Sequence, residues 1–337
     1  MSARWRAPAR AASAGLPLRL SILAVLVPLA GTLLVHAASA ADPPPAARRL
    51  DPADARRAGV SLQLVPHPEL PASVLEVRPD TGSAFAGIVL EAAPDGASVA
   101  LADALGDPVA GLVLARADGS QLRVELDGVI DATFAGDAAS LAVVDGLGRL
   151  WRVDAGGGAA EAIADGPFIG APVVQDDGTI LALAVPSVEA PFRSRLTRVS
   201  PDGELEPISD EGLVYGAAPL ADGSLAVIAH RPEGTAVLRL QEGAATLHVD
   251  LGPDAVNVSL SADGGVIAWE SGGRAFARGR SGEVLEIGSG ARPQVTRDGS
   301  AVLLERDGGS VLVDLEGRVL ASLPAAAVIG CRGGCAS

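Results

Sequence analysis

Histidine, cysteine and lysine often act as bases, nucleophiles or metal ligands, and all three are scarce in this sequence. Past the apolar N-terminal region the histidines are His67, His230 and His248. A metal or proton-transfer site needs several such side chains that converge. The sequence has no Gly-x-Ser-x-Gly elbow, no His-Glu-x-x-His motif and no EF-hand loop. The absence of lysine excludes a lysine Schiff base and a Walker-type phosphate loop. The sequence therefore predicts no catalytic residues.

Adjacent acidic residues are the remaining candidates for a metal site. Asp176-Asp177 and Asp210-Glu211 are two such pairs, and carboxylate oxygens are ligands that Ca²⁺ prefers. Aspartate at these positions also suits a tight turn, where its carboxylate bonds to nearby backbone. We therefore predict no cofactor and keep Ca²⁺ as the alternative, with the metal ligands unassigned.

The two cysteines, Cys331 and Cys335, lie close together in the sequence. Outside the cytoplasm such a pair is oxidised by default. We predict a disulfide between them. Their spacing excludes covalent haem attachment, which requires Cys-x-x-Cys-His.

The elements that would position these residues belong to a unit that recurs six times, at intervals of 35 to 45 residues. Each unit has an acidic or polar residue next to glycine, between two short runs rich in Val, Leu, Ile and Ala. The turns are Asp95-Gly96, Gly136-Asp137, Asp177-Gly178, Asp222-Gly223, Asp263-Gly264 and Asp298-Gly299. Asp-Gly suits tight turns between strands. A strand-rich repeat of this length is typical of a β-propeller.

Each unit reads as four strands, and the continuous apolar second strands indicate burial on both faces. In the third unit we predict strands at Ile169–Val174, Thr179–Val185, Arg195–Ser200 and Glu204–Ile208. The predicted fold is all-β, a β-propeller of six four-stranded blades, with seven blades as the alternative. Further strand candidates at Val60–Val65, Val74–Val77 and Ala326–Ile329 could complete one blade from both ends or add a partial seventh.

Two aromatic residues, Phe168 and Tyr215, start the first strands of neighbouring units. Both rings could point into the axial mouth, the opening at the centre of the ring. We predict a ligand-binding site there. Full burial of both rings would contradict this prediction.

The N-terminal 40 residues have the pattern of an export signal. Four arginines precede an apolar run over Leu20–Val35, and Ala38-Ser39-Ala40 has the small-residue pattern of a signal peptidase site. We predict cleavage after Ala40, with an uncleaved membrane anchor as the alternative. The protein is thus expected to be extracytoplasmic, either periplasmic or secreted. The predicted divisions are a signal peptide at 1–40, a Pro/Ala/Arg-rich linker at 41–59, the propeller at 60–330 with core repeats at 83–323, and a cysteine-containing tail at 331–337.

Some of the repeat motifs point to a known family. Val199-Ser200-Pro201-Asp202-Gly203 and Leu260-Ser261-Ala262-Asp263-Gly264 resemble the WD40-like repeats of exported, TolB-like bacterial propellers. The resemblance covers about residues 83–323 and lies at the level of the repeat. It implies the propeller fold. It does not imply the transport role of TolB, because the residues before the repeats are too few for the separate α/β domain of TolB.

Charge and composition limit the function further. The formal net charge of −15 disfavours binding to nucleic acid and to anionic lipid. The sequence favours a non-catalytic propeller that binds a protein or a small ligand. We expect an envelope or extracellular protein as partner, and no membrane insertion beyond the signal segment. The alternative is a metal-dependent hydrolase or lyase with a site on the axial face, since propellers host both classes.

Overall fold

The computed structural model describes residues 45–50, 62–66, 70, 74–79, 88–102, 111–185, 193–209, 212–220, 222–241, 243–306, 309–323 and 327–329. These residues form 28 strands and no helix, which confirms the predicted all-β fold. Within these ranges there is accordingly no helix that is long and apolar enough to cross a membrane.

Six four-stranded blades form a ring, which confirms the predicted six-bladed β-propeller. Three strands precede the blades, namely β1 (Ala47–Leu50), β2 (Leu62–Pro66) and β3 (Val74–Pro79). Blade 1 consists of β4 (Ile88–Ala92), β5 (Ser98–Ala102), β6 (Leu112–Arg116) and β7 (Gln121–Val124). Blade 2 consists of β8 (Val129–Phe134), β9 (Ser140–Asp145), β10 (Leu150–Asp154) and β11 (Ala160–Ala164). Blade 3 consists of β12 (Phe168–Val174), β13 (Ile180–Ala184), β14 (Arg195–Val199) and β15 (Leu205–Pro207).

The remaining blades have the same order of strands. Blade 4 consists of β16 (Leu213–Pro219), β17 (Leu225–Arg231), β18 (Gly234–Gln241) and β19 (Ala244–Gly252). Blade 5 consists of β20 (Val256–Leu260), β21 (Ile267–Ser271), β22 (Arg274–Arg278) and β23 (Val284–Ser289). Blade 6 consists of β24 (Ala291–Val295), β25 (Ala301–Arg306), β26 (Gly309–Asp314) and β27 (Val319–Leu323), and β28 (Ala327–Ile329) follows it. Every pairing within a blade is antiparallel, between strands consecutive in sequence.

The predicted turns join the first and second strands of the blades. In blade 3, Asp177 Oδ1 accepts a hydrogen bond from the Thr179 backbone N–H at 2.9 Å, and Gly178 has φ of +81°. The corresponding aspartate in each of the other five blades accepts the same bond from the residue two positions later. In blade 2, Ala138 occupies the left-handed position, with φ of +59°, where the other blades have glycine. Because glycine tolerates this region and alanine does not, the turn of blade 2 is strained.

Apolar side chains between the blades form the core. All five residues of β13 are buried, as predicted for a strand that packs on both faces. Phe134 and Trp151 of blade 2 pack with Leu112 of blade 1, and Ile228 of blade 4 packs with Trp269 of blade 5. Similar clusters lie between all neighbouring blades from blade 1 to blade 6. The core is therefore divided into layers that run radially between blades.

A three-stranded sheet lies between blade 6 and blade 1. Its order is β2-β3-β28, so it combines strands from both ends of the propeller. We name it the closure sheet. Val74 packs with Leu303 of blade 6, whereas Leu75 packs with Leu101 of blade 1. The strand candidates outside the six repeats thus join one sheet, which connects the last blade to the first.

Strand β1 adds a fifth strand to the outer edge of blade 1. It pairs antiparallel with β7, with Ala47 opposite Val124 and Leu50 opposite Gln121. It lies within the segment 41–59, which the sequence suggests to be a linker. Leu122 and Val124 of β7 are buried, whereas the outermost strand of blade 6 exposes half of Val319 and Leu320.

Candidate functional site at the axial mouth

The first strand of each blade lies innermost in the ring. These strands contact their counterparts in neighbouring blades, as β8 contacts β12 and β20 contacts β24. They all run in the same direction relative to the ring, because each blade repeats the same antiparallel order. Their first residues therefore meet at one end of the central channel, opposite the face that carries the Asp-Gly turns.

Each of these six strands has a register shift near its start, which is typical of a β-bulge. A bulge adds a residue to one strand and changes the direction of its side chain. The first residue that the pairing skips in each strand is Leu90, Ile130, Ile169, Tyr215, Asn257 or Arg292. Because they occur at the same end of innermost strands, we define these six residues as the axial mouth.

The axial mouth is apolar on one side and polar on the other. Blades 1 to 3 contribute Leu90, Ile130 and Ile169. Leu90 and Ile130 are partly buried and pack on the clusters between blades, and the side chain of Ile169 is 42% exposed. Blades 4 to 6 contribute Tyr215, Asn257 and Arg292. Tyr215 is 43% exposed, and partial burial raises the pKa of its hydroxyl above the ordinary value. Neighbouring blades thus place an aliphatic arc beside a polar arc.

Two glutamates on second strands hold the polar arc in place. Glu270 Oε2 accepts hydrogen bonds from Asn257 Nδ2 at 2.9 Å and from the Arg292 backbone N–H at 3.3 Å. Arg292 Nη1 lies 3.7 Å from Glu305 Oε2. Asn257 and Arg292 both have left-handed backbones, with φ of +52° and +47°. Such conformations are unfavourable for residues other than glycine and persist where the surroundings hold them. Glu270 contacts both strained segments, so it fixes the side-chain amide of Asn257 and the backbone of Arg292, whereas Glu305 faces the Arg292 guanidinium.

Asp131 connects the innermost strands of blades 2 and 3. Its Oδ2 accepts a hydrogen bond from the Ala171 backbone N–H at 2.7 Å, and its Oδ1 accepts one from the Ala132 backbone N–H at 2.9 Å. Burial raises the pKa of Asp131 to about 6, and the two backbone hydrogen bonds partly oppose this effect. Ala171 is a further residue with a left-handed backbone, at φ of +48°. A carboxyl group with this pKa exchanges its proton near neutral pH.

The two aromatic residues predicted to bind ligand differ in their environments. Phe168 is 1% exposed and packs with Val144 and Leu150 between blades 2 and 3. Successive residues of a strand point to opposite faces, so the bulge after Phe168 exposes Ile169 in its place. Tyr215 is exposed at the mouth. Tyr215 therefore remains a candidate for the predicted ligand site, whereas Phe168 is part of the core.

No signal in the sequence marks Asn257 and Arg292 of the mouth and the supporting Glu270 as a group. Asn257 lies 35 residues before Arg292, and Glu270 belongs to a different strand from either. Asn257 is the one asparagine in the sequence, and asparagine tolerates left-handed backbone better than most residues. That property, combined with its place at the start of a repeat, is the signal that points to it.

The other sequence candidates lie away from the mouth. Asp177 is exposed and caps its turn, and the Thr179 backbone hydrogen bond lowers its pKa. His230 is the second-last residue of β17, and its Nδ1 lies 3.4 Å from Thr235 Oγ1. No three histidine, cysteine or acidic side chains group together as metal ligands in the described parts of the chain. Outside the described residues lie the predicted signal segment 1–40, the pair Asp210-Glu211, and the two cysteines Cys331 and Cys335.

Comparison with known proteins finds similar folds among solved structures. No protein-family model matches the sequence, and no curated protein matches it. Among solved structures, TolB from Acinetobacter baumannii aligns with a TM-score of 0.53 at 19% identity, over 72% of this chain and 64% of the TolB chain. The fold is similar to that of TolB. This chain spans less than two thirds of the length of that TolB chain.

Two further structures share the propeller. Oligogalacturonate lyase from Vibrio parahaemolyticus aligns with a TM-score of 0.55 at 15% identity, over 78% of this chain and 85% of the lyase. An oligogalacturonate lyase in complex with manganese aligns with a TM-score of 0.53 at 13% identity, over 77% of this chain and 82% of that chain. At these identities the likeness concerns the fold.

Proposed function

We propose that this protein is a non-catalytic propeller that acts outside the cytoplasm and binds a protein or a small ligand at the axial mouth. The observation that carries the proposal is the division of the mouth into an aliphatic and a polar arc. Binding sites combine apolar surface with a few polar groups that fix the orientation of the ligand. The mouth has this composition.

The exposed side chains of the mouth are of types that suit recognition. Tyrosine offers a large apolar ring with a polar end and loses little entropy on binding. Ile169 is exposed on the neighbouring blade and extends the apolar surface beside Tyr215. A partner that places an apolar side chain against these two residues would remove surface that water now contacts.

The polar arc would select the orientation of the partner. Glu270, Glu305 and Arg292 together present two carboxylates and one guanidinium. The hydrogen bonds of Glu270 keep the Asn257 amide and the backbone of Arg292 in place before any partner arrives, which lowers the entropic cost of binding. A partner with a cationic or amide group next to an apolar side chain complements this arrangement.

Photo-crosslinking tests the proposal. A p-benzoylphenylalanine at position 215 samples the mouth, and the same residue at position 247 samples the rim, since Leu247 is 55% exposed on the outermost strand of blade 4. We expect crosslinks to one partner from position 215 and not from position 247 when the protein is expressed in its own cells. Crosslinks from the rim position alone would contradict the proposal.

The proposed location rests on the N-terminal sequence pattern. Intact mass measurement of the protein purified from its own cells should give a chain that begins at Ala41. A chain that retains Met1 would contradict cleavage and favour the membrane anchor.

One observation favours the alternative of a metal-dependent hydrolase or lyase. Asp131, with its raised pKa, lies on an innermost strand, and perturbed carboxyl groups often occur at catalytic sites. Two of the similar folds belong to oligogalacturonate lyases, one of them in complex with manganese. Turnover of oligogalacturonate that requires Mn²⁺ and is lost in Asp131→Asn would support this alternative. Turnover that does not change in the variant would leave Asp131 with a structural role.

A further inference from the structure

A second concave surface lies between the outer parts of blades 3 and 4. It is a cleft of about 820 Å³. Its polar lining residues are Arg195, Arg198, Glu206, Ser209, Asp222 and Gln241. No lining residue belongs to β12 or β16, the innermost strands of these blades. The cleft is therefore separate from the axial mouth, and a ligand bound in the cleft is independent of the function proposed for the mouth.

The short outermost strand of blade 3 accounts for the cleft. β15 has three residues and ends at Pro207, whereas β18 and β19 of blade 4 have eight and nine. Proline lacks the N–H that would continue the pairing. The next two residues stay against β14 without forming regular strand pairs. The backbone N–H groups of Ile208 and Ser209 both donate to the same carbonyl oxygen, that of Leu196. The outer part of blade 3 thus leaves the side of blade 4 uncovered.

Arg195 differs from Arg198, the other arginine of the cleft, in having no carboxylate partner within the described ranges. Arg198 Nη1 lies 2.7 Å from Glu206 Oε2, and Asp222 pairs with Arg239. These pairs account for both carboxylates that line the cleft. The guanidinium of Arg195 has no ion pair within the described ranges, and its Nε is buried without a hydrogen-bond partner there. A buried donor without an acceptor costs stability, and no protein carboxylate in the described part of the chain competes with a ligand for this guanidinium.

Other donors lie in the same cleft. Ser209 Oγ accepts the Leu196 backbone N–H at 2.8 Å, which leaves the hydroxyl hydrogen available to donate. The amide of Gln241 lines the opposite side, on blade 4. The planar guanidinium of Arg195 matches the geometry of a carboxylate. We propose that Arg195, with Ser209 and Gln241, forms a binding site for a carboxylate group carried by a polar ligand.

A carboxylate suits the cleft better than a phosphate. The protein carries a formal net charge of −15, and Glu206 and Asp222 lie in the same lining. A ligand group with one negative charge is repelled less by these acids than a group with two. Acidic peptides and sugar acids both carry such a carboxylate, and the experiment separates these two sources.

Isothermal titration calorimetry of the purified protein tests the site with two acidic probes and their neutral analogues. The probes are the C-terminal amide of N-acetyl-diglutamate and glucuronate, and the analogues are the C-terminal amide of N-acetyl-diglutamine and glucose. We expect at least one acid to bind about tenfold more tightly than its analogue, since the analogue lacks the charge. Binding of diglutamate alone identifies an acidic peptide, and binding of glucuronate alone identifies a sugar acid. Equal affinities for acids and analogues, or tighter binding of inorganic phosphate, would overturn the proposal.

Substitutions localise the binding. Arg195→Gln should weaken it about tenfold or more, and Ser209→Ala about threefold. The matched control is Arg274→Gln, because Arg274 is an exposed arginine on blade 5 that pairs with Glu286. Unchanged affinity in Arg195→Gln would overturn the assignment. If that variant melts early, Arg195→Lys decides: it keeps the charge but lacks the planar fork, so unchanged affinity there also counts against the proposal.

Discussion

The partly buried carboxyl group of Asp131 should make the stability of the propeller depend on pH in an unusual direction. Its pKa is about 6 in the folded protein, against an ordinary value of 3.8. The folded protein therefore holds this proton more tightly than the unfolded chain does. The resulting stabilisation is complete below pH 3.8 and is lost as the pH rises through 6.

The size of the effect follows from the two pKa values. The whole difference corresponds to about 3 kcal/mol, and most of it is lost between pH 4 and pH 8. Asp131→Asn removes this titration and keeps the size of the side chain. Because asparagine has one acceptor oxygen, the variant loses one of the two backbone hydrogen bonds at every pH. That loss shifts its curve of stability against pH but does not change the slope.

Urea unfolding, followed by tryptophan fluorescence at several pH values from 4 to 8, measures the effect. The unfolding free energy of the wild type minus that of Asp131→Asn should fall by about 2 kcal/mol over this range. Asp137→Asn is the control, because Asp137 is an exposed aspartate on the same blade. A difference that changes by less than about 1 kcal/mol, or that rises with pH, would refute the reasoning.

Three further substitutions test the blades themselves by urea unfolding. Asp145 is fully buried and accepts hydrogen bonds from Arg149 Nε at 2.7 Å and Trp151 Nε1 at 2.8 Å. Asp145→Ala should lower the free energy of unfolding by about 3 kcal/mol, and a decrease of less than about 1 kcal/mol would contradict its role. Ala138→Gly should stabilise the protein by about 0.5–1 kcal/mol, because glycine accepts the left-handed turn, and destabilisation would show that the turn is not strained. Gly234→Ala should destabilise by about 2 kcal/mol or more, since its Cβ would lie 2.5 Å from the Gly252 backbone; a neutral effect would show that the β18–β19 hairpin can shift.

The repeating parts of the fold can be predicted from the sequence because local chemistry determines them. An aspartate that accepts the N–H two residues later forms the same turn in every blade. The apolar run at Ile180–Ala184 indicates a strand that packs on both faces, and all of its residues are buried. The turn and the apolar strand each depend only on residues that are close in sequence. The same pattern can therefore be recognised in every repeat.

The mouth and the cleft depend on contacts between distant residues. The bulge in β12 decides that Ile169 rather than Phe168 is exposed, and the sequence of the strand does not reveal a bulge. The bond between Asp131 and Ala171 joins residues 40 positions apart. The cleft depends on Pro207, which ends β15, but a single proline does not show which neighbouring blade becomes uncovered.

The closure sheet can be completed only after all six blades have been synthesised. Its strands β2 and β3 precede all six blades in sequence, yet their partner β28 follows all of them. During synthesis, β3 therefore waits for a strand that is made only after the last blade. Until then one edge of β3 has free backbone groups, which can pair with any strand of another chain. An incompletely synthesised chain thus exposes an edge of β3 that β28 covers in the complete protein.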